Sequence, residues 1–161
     1  MATETERKFL VVDDSWRGAI RESINYRQGY LAGNDRASIR VRVDDRGAKI
    51  NIKGATVGVS RLEYEYDVPL ADGHEMLDQL CGSGLVEKTR HLVPFADHLF
   101  EVDEFLGQNA GLIVAEVELE SESQPVSMPS WLGRDVSHDV RYYNARLAEH
   151  PYGDWSAEDK E

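Results

Sequence analysis

The sequence predicts one α+β domain, predominantly β, in which eight antiparallel strands close into a barrel with a few short packing helices. Charged and apolar side chains alternate along six segments, as in strands whose two faces meet different surroundings. Turn residues rich in Gly, Asn and Asp separate many of these segments. Because closure removes exposed strand edges, eight strands of this kind favour a closed barrel with a narrow lumen.

Five strands are predicted before the first helix. A short turn or helix over residues 15–21 follows the first of them, and turn signals such as Gly33-Asn34-Asp35 and Asp44 to Gly47 separate later ones. The run indicates an antiparallel meander. The predicted strands cover residues 3–12, 23–31, 37–43, 48–53 and 61–68.

The hydrophobic period then changes to that of a helix. Asp72 and Glu75 have the spacing of a capping box, and apolar residues at helical spacing follow until Gly82. This pattern predicts a short amphipathic helix that packs on the sheet. Three further strands are predicted over residues 85–94, 98–105 and 111–120.

The C-terminal part of the chain begins with a break marked by Pro125, Pro129 and Gly133. A last helix is predicted over residues 138–149, with a cap supplied between Asp135 and Ser137. The single domain is therefore expected to span residues 1–150, and residues 151–161 to form an acidic tail that is frayed.

The alternating charged residues are sorted by sign, with acids on some strands and bases on others. Neighbouring carboxylates on one strand lie about 6.6 Å apart and repel by about 2.5 kcal/mol at an effective dielectric of about 20. A solvated outer face is the ordinary interpretation of such alternation, but it predicts mixed polar residues. Sorted charges favour a lumen that holds cations and an anion between them, with the apolar faces outside and covered by the helices.

Composition limits the remaining function classes. The chain has 161 residues, a net charge of −12 and a single cysteine, Cys81, so it can form no intrachain disulfide. An acidic protein with one line of bases suits a small polyanion better than extended nucleic acid or an anionic membrane. No leader or long apolar run is visible, and we expect a cytoplasmic protein.

Eight ordered blocks carry a resemblance to a known family. The first is Glu4-x-Glu6-x-Lys8. The others are Arg40-x-Arg42, Ile52-Lys53, Glu63-Tyr64-Glu65, Lys88-Thr89-Arg90, Val102 to Phe105, Glu116 to Leu119 and Asp139 to Asn144. The chain resembles CYTH-domain proteins of the triphosphate tunnel metalloenzyme family over nearly its whole length.

The resemblance implies an eight-stranded tunnel that acts on a triphosphate with Mg²⁺ or Mn²⁺. It implies metal ligation by Glu4, Glu6, Glu63, Glu65, Glu116 and Glu118. It implies phosphate contacts from Lys8, Arg40, Arg42, Lys53, Lys88, Arg90 and Arg141. It implies catalytic roles, including the orientation of water, for Lys8, Glu63, Glu65, Lys88 and Asp103.

Phosphoryl transfer needs positioning and charge neutralisation more than a covalent nucleophile, which agrees with this residue set. We therefore expect a hydrolase that converts inorganic tripolyphosphate to pyrophosphate and phosphate by metal-activated water. A class IV adenylate cyclase, a thiamine triphosphatase and a non-catalytic polyphosphate- or nucleotide-binding module are the alternatives. The sequence leaves open the choice of metal, the number of ions and whether the protein is a homodimer.

Some residues near the pattern receive a structural interpretation. Arg61 is expected to form a cross-strand ion pair, and Tyr30 to belong to the barrel core. Glu122 is expected to be solvated, Trp131 to be a packing anchor, and the five histidines to lie at the surface without metal-ligand spacing.

Overall fold

The computed structural model describes residues 2–82 and 84–161. Within them lie nine strands, two α-helices and four short 3₁₀ turns. The strands are β1 (Thr3–Val11), β2 (Glu22–Gly33), β3 (Ala37–Val43), β4 (Ala48–Gly54), β5 (Ser60–Val68), β6 (Val86–Phe95), β7 (His98–Phe105), β8 (Ile113–Glu118) and β9 (Leu132–Asp135). The helices are α1 (Leu70–Gln79) and α2 (Asn144–Glu149), and the 3₁₀ turns span Ser15–Ala19, Gly107–Asn109, Val140–Tyr142 and Tyr152–Asp154.

Eight strands form a closed antiparallel ring, which confirms the predicted fold class. The order around the ring is β5, β4, β3, β2, β6, β7, β8 and β1, and β1 returns to β5. Pairing of Thr3 with Leu62 closes the ring on one side of β1, and pairing of Glu6 with Glu118 joins its other side to β8. The first strand therefore completes the tunnel.

β9 was not predicted, because residues 132–135 show neither alternation nor a β-branched residue. It pairs with the second half of β1, beyond the point where the pairing of β1 with β5 stops, with Phe9 opposite Asp135 and Val11 opposite Leu132. Gly133 is required by close approach, since a Cβ there would lie 2.7 Å from a methyl group of Val12. β9 thus continues the sheet beside β1 and lies outside the eight-stranded ring.

Both helices differ from their predicted bounds. α1 begins at Leu70 after Pro69, so Asp72 lies inside the first turn and makes no capping hydrogen bond, and the predicted capping box is wrong. The last predicted helix is split, because the 3₁₀ turn Val140–Tyr142 is followed by a break before α2. Asp139 caps that turn by accepting a hydrogen bond from the Arg141 backbone N–H.

Two apolar clusters cover the outside of the ring. One joins β1, β7 and β8 to Trp16 and Trp131, which confirms Trp131 as a packing anchor. The other lies under α1, where Leu77 and Cys81 contact Val41, Val43 and Ala48.

A third apolar cluster closes one end of the tunnel from inside. Leu10, Val86, Phe105 and Val114 alternate in phase with the charged inward-facing residues of their strands. Residues 136–155, which we call the closing segment, pack on them through Val136, Tyr142, Leu147 and Trp155. The tail is therefore not frayed at its start, since Trp155 is buried.

The outer face of β5 is not covered as expected. Leu62, Tyr64 and Tyr66 follow one another on this face and remain exposed. Helix α1 instead lies over the ends of β3 and β4. No helix among the described residues is long and apolar enough to cross a membrane.

Candidate active site in the tunnel

The tunnel contains a cavity of about 330 Å³, and every strand of the ring contributes a side chain to it. The alternation predicted from the sequence explains this, because residues two apart on a strand point to the same side. The lining includes Glu4, Glu6, Lys8, Tyr26, Tyr30, Arg40, Arg42, Lys53, Arg61, Glu63, Glu65, Lys88, Arg90, Glu101, Glu116 and Glu118.

Strand order sorts these side chains into two facing walls. The acidic wall consists of β7, β8, β1 and β5, which are consecutive in the ring, and the basic wall consists of β4, β3, β2 and β6. All the lining carboxylates lie on the acidic wall. The basic wall carries five of the seven lining bases, and Lys8 and Arg61 are the exceptions.

The acidic wall brings three carboxylates together. One oxygen each from Glu4, Glu6 and Glu118 lies within 4.8 Å of the others. Burial, together with the charges of Glu116 and Glu4, raises the pKa of Glu6 to about 8. Mg²⁺ and Mn²⁺ prefer hard oxygen ligands, so three converging carboxylates that crowd one another fit a divalent cation.

Glu116 also lies on the acidic wall, but it is paired with bases. Its carboxylate is 3.6 Å from Lys8 Nζ and 3.4 Å from an Arg90 nitrogen. Although burial opposes ionisation, Lys8 and Arg90 hold the pKa of Glu116 well below its ordinary value. The structure thus keeps Glu116 ionised beside the triad.

Glu63 and Glu65 bridge β5 to the neighbouring basic strand. Glu63 is 2.9 Å from Lys53 Nζ, and Glu65 accepts a 2.6 Å hydrogen bond from the Asn51 side chain. Lys53 is also 3.4 Å from Glu4. Burial, with the charges of Arg40 and Arg61, lowers the pKa of Lys53.

Arg40 differs from the other bases of the tunnel. It is only 6% exposed, its Nε has no hydrogen-bond partner, and no carboxylate in residues 2–82 and 84–161 lies within ion-pair distance of it. Arg42, beside it, is 3.7 Å from Glu65 and stacks on the Tyr26 ring at 4.4 Å. The centre of the basic wall therefore has a buried positive charge that the chain does not neutralise.

Asp103 lies behind the cavity rather than on its surface. It accepts hydrogen bonds from Lys88 Nζ at 2.7 Å and from Arg90 Nε at 2.7 Å. Arg90 also donates to Glu101 at 2.7 Å and to Glu116 at 3.4 Å, so most of its five N–H donors are occupied. Burial lowers the pKa of Lys88 to about 8, although Asp103 opposes that shift.

The positions of three single residues confirm or overturn what the sequence predicted. Arg61 forms the expected cross-strand pair, with its Nε 3.0 Å from Glu4. Tyr30, expected in the barrel core, lines the cavity instead. Arg141 does not line the cavity, and its guanidinium is held by Asp139 at 2.7 Å.

Of two surface expectations, the one for His91 is wrong and the one for Glu122 is confirmed. His91 is buried between Ser23 and Glu104, with its ring nitrogens 2.7 Å and 3.1 Å from their oxygens. Glu122 is exposed, and it also accepts a 2.9 Å hydrogen bond from the Val59 backbone N–H in the turn beside the cavity.

The sequence reasoning missed Glu101, Gln28, Tyr143 and Asn144. Glu101 stands two residues before Asp103 on β7, so its alternation with that residue was an available signal. Asn144 lay within a recognised block, but no spacing rule places a C-terminal residue inside a barrel. It lines the cavity and accepts hydrogen bonds from both Lys88 and Gln28.

Comparison with known proteins gives consistent results. The family profile of the CYTH domain matches residues 2–152. An inorganic triphosphatase of Acetivibrio thermocellus is 41% identical over 94% of this chain and 97% of its own length, and one of Nitrosomonas europaea is 37% identical over 91% and 97%. The crystal structure of an inorganic triphosphatase superposes with a TM-score of 0.68 at 34% identity, covering 92% of this chain and 95% of the other.

Proposed function

Given that the chain belongs to the CYTH domain family, we propose that it hydrolyses inorganic tripolyphosphate to pyrophosphate and phosphate with the help of a divalent metal ion. The relatives named as inorganic triphosphatases support this activity, since the match extends over nearly the full length of both partners.

The observation that carries the proposal is the unpaired Arg40. Buried charges in proteins are normally paired, because removal from water without a partner costs several kcal/mol. Arg40 is buried at the centre of the basic wall, and no carboxylate of the described residues lies within ion-pair distance of it. An anion in the cavity would supply the missing partner, and a guanidinium is well shaped for phosphate oxygens.

Two bases extend this contact along the cavity. Arg42 lies two residues from Arg40 on β3, and Lys53 lies on the adjacent strand β4. Their pKa values are lowered mainly by burial and by the charge of Arg40. A bound polyanion would neutralise the positive charges that repel one another. These bases are therefore expected to contribute to phosphate binding and not to the stability of the empty protein.

The opposite wall suits the metal. Glu4, Glu6 and Glu118 would hold the ion, and Glu63 and Glu65, which line the same cavity, would orient water. When bound, Mg²⁺ or Mn²⁺ would neutralise phosphate charge and lower the pKa of an attacking water. Lys8 and Lys88 lie at the end of the cavity that the closing segment covers, where their charges would face developing negative charge on the phosphoryl group.

Cavity size supports the bare triphosphate over a nucleotide. A volume of about 330 Å³ is at the small end for ligand sites, and nearly every lining side chain is charged or polar. ATP would have to place its base and ribose against such groups. We therefore expect kcat/KM for tripolyphosphate to exceed that for ATP by about tenfold or more, a difference of about 1.4 kcal/mol.

A substrate panel tests the proposal. Phosphate release is measured from tripolyphosphate, ATP and thiamine triphosphate with Mg²⁺ and with Mn²⁺, and the ATP reactions are also chromatographed for cyclic AMP. Efficient conversion of ATP to cyclic AMP with little phosphate release from tripolyphosphate would identify a cyclase instead. Binding of tripolyphosphate without turnover of any compound would identify a binding module.

Location and assembly are parts of the same proposal. The lone Cys81 supports a cytoplasmic protein, since small secreted domains are commonly rich in disulfides. The exposed Leu62, Tyr64 and Tyr66 form an apolar face that contact with a second copy would bury. Sedimentation of the wild type and a Tyr66→Lys variant distinguishes a monomer from a homodimer formed through this face.

A further inference from the structure

The closing segment does more than fill the end of the tunnel, because it contributes hydrogen-bond acceptors to two lysines of the site. Lys8 Nζ donates to the Tyr142 backbone carbonyl at 3.2 Å and lies 5.3 Å from the centre of the Tyr143 ring. Lys88 Nζ lies 2.9 Å from the side chain of Asn144. Both lysines are therefore held from the C-terminal side of the chain.

The contact with Asn144 has a defined direction. A lysine ammonium has three donors and no acceptor, so the Asn144 atom that faces it must be Oδ1. The same oxygen accepts a 2.9 Å hydrogen bond from Gln28 Nε2. Gln28 is fully buried and thereby fixes the rotation of the Asn144 amide.

The remaining donors of Lys88 show what this arrangement achieves. Asp103 takes one N–H at 2.7 Å and Asn144 takes a second at 2.9 Å. The side chain is only 1% exposed, yet it lines the cavity. With two donors held at fixed positions, the third is left for the cavity contents.

We propose that Asn144 is a positioning residue, which with Asp103 orients the Lys88 ammonium so that its remaining N–H meets a substrate phosphate oxygen. The inference rests on the proposed triphosphatase function. It makes α2, whose first residue is Asn144, a part of the active site. A displaced Lys88 still carries its positive charge and still attracts the substrate. Its misorientation should therefore weaken stabilisation of the transition state more than it weakens substrate binding.

The test compares Asn144→Ala, Asn144→Asp and Arg146→Ala for tripolyphosphate hydrolysis with Mg²⁺. Asn144→Ala removes the acceptor, and kcat should fall about tenfold or more while KM changes less than about threefold. Asn144→Asp keeps an oxygen at the same place and should restore kcat to within about threefold of the wild type. Arg146→Ala changes an exposed residue of the same helix and should behave as the wild type.

A second variant covers the case in which Asn144→Ala fails to fold. Gln28→Met removes the donor that fixes the Asn144 amide while keeping a similar volume, and it should lower kcat about two- to fivefold without raising KM. Normal kcat in folded Asn144→Ala or in Gln28→Met overturns the proposal, as does an Asn144→Asp variant no faster than Asn144→Ala.

Failure of the inference is distinguishable from failure of the proposed function. If the wild type and Arg146→Ala release phosphate and Asn144→Ala does so equally fast, only the role of Asn144 is refuted. If the wild type itself releases none from tripolyphosphate, the proposed function is refuted and the inference with it.

Discussion

The acidic and basic walls differ in where their charges are paired. At their borders the walls neutralise each other, as between Lys53 and Glu63 and between Arg90 and Glu116. Away from the borders the charges are less balanced: Glu4, Glu6 and Glu118 crowd together even though Lys53 and Arg61 pair with Glu4, and among the described residues no carboxylate lies within ion-pair distance of Arg40. The ion pairs join the two walls, and the crowded carboxylates and the unpaired Arg40 mark where a cation and an anion would bind.

Removing the cation should have the largest effect. Excess EDTA should abolish phosphate release, and Glu4→Gln or Glu118→Gln should lower kcat by about 10²-fold or more, because each removes one element of a preorganised charge site. Glu120→Gln, an exposed change just beyond β8, is the matched control. Full activity in excess EDTA would contradict a metal-binding role for the acidic wall.

Removing the unpaired base should have the next largest effect on activity. Arg40→Ala should lower kcat/KM by about 10- to 100-fold, the value of one or two charge-assisted hydrogen bonds. Melting temperature of the free protein should not fall, since the substitution relieves repulsion among lining bases. A lower melting temperature with unchanged kinetics would show that Arg40 has a structural role. Arg36→Ala, which removes an exposed arginine, is the matched control.

The crowding of the triad should appear as a pH dependence of stability. The pKa of Glu6 is raised to about 8 in the folded protein, so the folded state binds more protons than the unfolded state above about pH 4.5. The stabilisation that protonated Glu6 contributes to the folded state is complete below that pH and is lost as the pH rises through about 8.

The measurement is melting temperature against pH for the wild type and Glu6→Gln in EDTA. The melting temperature of Glu6→Gln relative to that of the wild type should rise by about 5 °C or more between pH 5 and pH 8. Added Mg²⁺ should narrow that gap by binding only the folded wild type. Parallel curves for the two proteins would show that Glu6 is not the titrating group.

The smallest effect is expected outside both walls. Arg141 is paired with Asp139 and does not line the cavity, so Arg141→Ala should change kcat and KM by less than about twofold. A partly exposed pair of this kind contributes at most about 1 kcal/mol to stability. A large rise in KM would return Arg141 to the phosphate-binding set that the sequence suggested.

The tunnel lining could be predicted because strand alternation depends on local sequence alone. Lys8, Arg40 and Glu118 all face the cavity as their spacing indicated. The division into walls could not be predicted from spacing, because it depends on strand order around the ring and on which residue of β1 faces which residue of β8.

Other misses have similar physical causes. β9 is four residues long and is stabilised by β1 rather than by its own composition. His91 and Asn144 are polar residues placed by tertiary contacts, one under Trp16 and the other at the end of the tunnel. Neither environment leaves a periodic signal in the sequence.

Ring closure through β1 also determines when the site can form. β1 carries Glu4, Glu6 and Lys8, and its partners lie on β5 and β8, far away along the chain. Contacts between distant segments are slow to form because loop-closure entropy must first be overcome. We therefore expect the first strand to dock late in folding, and a chain in which β1 has not docked has neither the triad nor an enclosed cavity, so catalytic competence requires the complete native topology.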